Sequence, residues 1–204
     1  QEKSIILIKG PPGIEKDLIG YNFLVNGLKD GIGYYIYHGR TNEEIENEFN
    51  SYKLNIRDAV KNRSIFWIDA GNISKNGNVI NCDIENLFTV SLALRQFLMV
   101  NKDRNIYGLI DIISPSLMTN EPAITYRFIE HLLISLKQYK TLTIFIMESG
   151  IYPKDIEATM EHLCDVVVDI KRVEEGMRIN NLILIKKLRG KIVRGEYKKF
   201  SFAT

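Results

Sequence analysis

Residues 4–9, Ser-Ile-Ile-Leu-Ile-Lys, form a short, β-branched, nearly continuous apolar run that ends in Gly10-Pro11-Pro12-Gly13. A run without polar alternation has no solvated face, so it predicts a strand buried on both sides that enters a tight loop. A buried parallel strand needs a crossover connection, and the next segment supplies one: Leu18, Ile19, Phe23, Leu24 and Leu28 fall on helical spacing across residues 17–28. The alternation then continues. Strands are predicted at 34–37, 65–68, 106–111 and 142–147, with helices between them at 42–50, 83–100 and 122–139. Thr41 with Glu44 makes a capping box for the first of these helices, Asp83 reads as the start of the second, and residues 71–81 read as a polar loop with room to move.

After a short helix at 154–163 the pattern changes. The runs 166–170, 182–185 and 200–202 are separated by Glu174-Glu175-Gly176 and Arg189-Gly190, not by helices, which predicts an antiparallel extension of the sheet. The expected fold class is α/β with three layers: a mainly parallel central sheet, helices on both faces and an antiparallel C-terminal extension. No Pro/Gly/Ser-rich linker interrupts the 204 residues, so one domain over 1–204 is expected. With 45% hydrophobic residues, such a chain can bury roughly 70% of its unfolded surface without a disulfide.

Cys82 and Cys164 have neither metal nor redox spacing, which favours a reducing compartment. The apolar runs are far shorter than the ~20 residues of a membrane helix and nothing reads as a signal peptide, so a cytoplasmic protein without membrane contact is expected. Net charge is only +2, and the basic residues gather in a tail of Lys186, Lys187, Arg189, Lys191, Arg194, Lys198 and Lys199. Their alternation with apolar residues fits half-solvated strands better than a nucleic-acid surface.

Between the first strand and first helix lies Gly10-Pro11-Pro12-Gly13-Ile14-Glu15-Lys16-Asp17. Strand, loop and helix in this order are the context in which the phosphate-binding pattern G-x-x-x-x-G-K-[ST] has meaning. Such a loop turns backbone N–H groups and a helix N-terminus toward a phosphate, while the lysine reaches the outer phosphates. Gly10, Gly13 and Lys16 keep their places. Glu15 stands where the last glycine belongs and Asp17 where the magnesium-binding hydroxyl belongs, bringing two carboxylates toward a polyanion. Alternatively, the segment is only a Pro/Gly turn whose acidic residues complement the helix dipole.

The sequence resembles the KaiC family of RecA-like ATPases nearly end to end. Four stretches carry the resemblance: the run from Ile5 to Gly13 with Lys16, Tyr35-Ile36-Tyr37 with Thr41-Asn42-Glu43-Glu44-Ile45, Leu109 to Pro115, and Lys187-Leu188-Arg189-Gly190. The resemblance implies a RecA-like P-loop domain with ATP and magnesium as ligands. It makes Asp111 the Walker B carboxylate, sharing the metal with Asp17, and it makes Lys187 and Arg189 contacts to a neighbouring subunit's phosphates. Family members carry two adjacent glutamates that prepare the attacking water; here those positions are Gly39 and Arg40. Neither can accept a proton, and His38 is the nearest substitute.

The expected protein is a RecA-fold module with a degenerate nucleotide site, binding ATP and magnesium weakly or not at all. It would act in regulation or binding, with signal transduction as the setting the family suggests, through an unknown protein partner. An ATPase with an atypical loop, and a structural subunit in a homo-oligomer or beside an active relative, are the alternatives.

Overall fold

The computed structural model describes residues 4–74, 79–176, 178–193 and 195–201. Arg194, Phe202 and the loop positions 75–78 singled out above lie outside them. The elements run β1 (Ile5–Gly10), α1 (Lys16–Gly27), β2 (Ile32–Tyr37), α2 (Asn42–Ser51), α3 (Arg57–Lys61), β3 (Ile65–Asp69), β4 (Val79–Asn81), α4 (Leu87–Val100) and β5 (Ile106–Ile110). They continue with α5 (Ile113–Thr119), α6 (Pro122–Gln138), β6 (Leu142–Glu148), α7 (Lys154–Leu163), β7 (Val166–Glu175), β8 (Arg178–Leu188) and β9 (Lys198–Phe200).

The strands form one sheet in the order β4-β3-β2-β5-β6-β1-β7-β8-β9. All pairings from β4 to β7 are parallel, and β8 and β9 add antiparallel. β1 is internal, between β6 and β7, as its uninterrupted apolar run requires. Side chains alternate between two cores. Ile5 and Leu7 join α4, α5, α6 and α7 on one face; Ile8 joins α1, α2 and α3 on the other. The expected three-layer α/β architecture is therefore present.

Three local expectations are corrected. The loop 71–81 ends in an edge strand, because Val79, Ile80 and Asn81 pair with β3. The helix expected from Asp83 starts at Leu87; the Asp83 carboxylate instead accepts from the Glu85 amide at 2.9 Å, closing a turn before the helix. The short helices α3 and α5 were not anticipated. Thr41 and Glu44 form the expected reciprocal capping box.

Candidate functional site

The C-terminal ends of β1, β2, β5 and β6 meet on one side of the sheet, where a doubly wound fold opens its crevice. Gly10 closes β1 so tightly against β7 that an added Cβ would lie 3.2 Å from the Ile170 side chain and carbonyl. The loop turns at Gly13 with φ +75°, and Arg172 of β7 donates to the Gly13 carbonyl at 2.8 Å. Ile14 is buried and Glu15 exposed. The Lys16 amide, first in α1, donates to the Ile14 carbonyl at 2.6 Å, so one N–H of the helix N-terminus is used within the loop.

Lys16 is only 3% exposed, and its Nζ lies 2.9 Å from both oxygens of Glu148, the last residue of β6. The Pro11 carbonyl is 3.4 Å away. The lysine expected to reach a phosphate is thus held by a carboxylate. Sequence reasoning missed Glu148, although it closes an apolar strand just as Asp111 follows β5.

Arg40 centres a second cluster. Its Nη1 donates to Glu48 at 2.8 Å and to the Tyr21 hydroxyl at 3.0 Å. Its Nη2 donates to the Tyr35 hydroxyl at 2.9 Å and to Asp111 at 3.2 Å. Asp17 lies 3.8 Å from Nη1. The guanidinium therefore lies between the two carboxylates expected to share magnesium. Magnesium demands near-octahedral oxygen ligands at about 2.0–2.1 Å, and among the described residues no group of three His, Cys, Asp or Glu side chains is placed to hold a metal ion. The arrangement does not fit that ion.

His38 does not join the cluster. Its Nδ1 lies against Gly71, beyond β3, buried and without a hydrogen-bond partner among the described residues. Lys187 and Arg189 lie at the opposite end of the sheet: Leu188 pairs with Val166, which pairs with Ile6 near the start of β1. Lys187 donates to the Glu161 and His162 carbonyls at the end of α7, and Arg189 pairs with Asp165 at 2.9 Å. Other tail lysines are also paired, Lys186 with Glu161 and Lys199 with Glu175. Cys82 and Cys164 are buried and free. No helix among the described residues is long and apolar enough to cross a membrane.

Desolvation, with the Asp17 charge beside it, pushes the Asp111 carboxyl up to about 7 against the pull of Arg40 and Lys16. A carboxyl raised on folding favours the folded state while protonated, and that contribution is lost as pH rises from the ordinary carboxylate range through about 7. The stability of the wild type relative to Asp111→Asn should therefore fall between pH 5 and pH 8 in urea titrations (roughly the span of that loss). A pH-independent difference would contradict this environment for Asp111.

An internal parallel strand, a phosphate-type loop and a helix beginning at its lysine define the class: a RecA-like P-loop domain. A model of the KaiC ATPase family matches residues 1–203, and the chain belongs to that family. No curated protein matches the chain.

Proposed function

We propose that this KaiC-family domain has lost ATP hydrolysis and serves as a regulatory or binding module. The observation that carries the reading is Arg40, a permanent cation fixed by hydrogen bonds where the family resemblance calls for a proton-accepting glutamate. The capture of Lys16 by Glu148 adds to it, since a phosphate must displace a carboxylate to reach the ammonium. A module without turnover would act through a protein partner, either a second copy or an active relative. Phosphate release from ATP should stay at background in the wild type and be unchanged in Lys16→Ala. Steady turnover that disappears in Lys16→Ala would overturn the proposal.

A second reading, that nucleotide still binds, is favoured by a cavity of about 1030 Å³ beside the loop, lined among others by Glu15, Leu18, Tyr52, Asn181 and Phe200. Calorimetric titration with ATP, with and without magnesium, separates a nucleotide-binding module from one that binds none.

A further inference from the structure

We propose that the Arg40 guanidinium is the resident cation of this site, standing where the family's magnesium would stand, and that the domain takes no divalent ion there. The inference rests on the family reading of Asp17 and Asp111 as the metal-facing positions. Four directed hydrogen bonds fix the guanidinium, to Tyr21, Tyr35, Glu48 and Asp111, and Asp17 completes a ring of three carboxylates around it. These groups come from α1, α2, β2 and the end of β5, so one cation ties together the elements around the loop.

The backbone aims Arg40 inward. Gly39 adopts φ +75°, a turn that side chains strain to make, and the Thr41 capping box starts α2 immediately afterwards. Moving the arginine aside for a metal would strip the donor from the Tyr35 hydroxyl, on a side chain with no exposed surface. A divalent ion arriving with Arg40 in place would meet a like charge within a few ångströms. Metal and guanidinium are alternatives for the same carboxylates, and the sequence has fixed one of them covalently.

Manganese alone, titrated against the full chain and followed by the loss of its free electron-spin signal, tests this without nucleotide and apart from the turnover assay. The wild type is expected to bind no stoichiometric manganese. Asp17, Glu48 and Asp111 are not placed to hold an ion while they surround the guanidinium; Arg40→Ala removes the cation and frees them to draw together, and should gain a site roughly tenfold or more tighter than any on the wild type, and adding Asp111→Asn should abolish it. If Arg40→Ala does not fold, the neutral, similarly long Arg40→Gln takes its place. Stoichiometric manganese on the wild type that disappears in Asp111→Asn would overturn the proposal, as would a folded Arg40 variant that gains no site.

Discussion

Replacing Lys9 by methionine is expected to destabilise the fold by roughly 3–5 kcal/mol, the cost of removing one partner from a buried ion cluster. Lys9 is the residue before Gly10, and its Nζ lies 2.8 Å from Glu157, 2.8 Å from Glu161 and 3.7 Å from Asp169. Desolvation alone would lower the affinity of this amine for its proton, yet the hydrogen bonds and charges of Glu157 and Glu161 raise it instead. Without that cation, three carboxylates of 10–15% side-chain exposure would keep, among the described residues, Lys186 as their paired cation, bound to Glu161. Methionine keeps most of the length and none of the charge. Urea denaturation measures the loss, and Lys9→Met combined with Glu161→Gln should cost less than the sum of the single changes, because the second removes a charge that the first leaves unpaired. A loss under about 1 kcal/mol in Lys9→Met would mean that solvent already screens the cluster.

The position of Lys9 connects this stability to the site. It anchors the end of β1 to α7 and β7 immediately before the phosphate loop, and Glu157 also accepts from the Gly150 amide beyond β6 at 2.7 Å. The loop therefore springs from a strand end that ion pairs tie to α7 and β7.

The scaffold was legible because it is written in continuous runs. Ile5 to Ile8, Ile65 to Ile68 and Leu142 to Met147 each lack the polar alternation of an exposed face, and only an internal parallel strand satisfies that. β4 escaped notice because three residues carry too little period to distinguish them from a loop. Asp83 misled because an aspartate closing a turn and one capping a helix read alike. At the candidate site, the motifs single out Lys16, Asp17, Arg40 and Asp111 by position, but not how these residues pair. Glu148 is 132 positions from Lys16, and Arg40 reaches Asp111 across 71. Arg40 read only as a missing base. Its role as a cation appears once β2 and β5 lie side by side and carry their loops to the same corner.

Substituting Glu148 with glutamine should tighten ATP binding by about tenfold or more, since a like-charge contact near 4 Å is worth roughly 1–4 kcal/mol between water-like and protein-like dielectric. The change removes a carboxylate from beside the Lys16 ammonium and releases that lysine from a partner that engages it through both oxygens. Restoring the loop pattern alone, through Glu15→Gly with Asp17→Thr, should gain less. Glu15 is exposed, and the Asp17 charge is already partly offset by Arg40 at 3.8 Å. The two variants thus rank the obstacles. The ligand-free Glu148→Gln protein should also unfold at lower urea, because a lysine 3% exposed has lost its counter-ion, and saturating ATP should recover the difference by mass action. Turnover should not return, because Gly39 and Arg40 still offer no acceptor for the proton of an attacking water. Unchanged affinity in folded Glu148→Gln, with tighter binding in the loop double variant, would transfer the obstacle from Glu148 to the loop carboxylates.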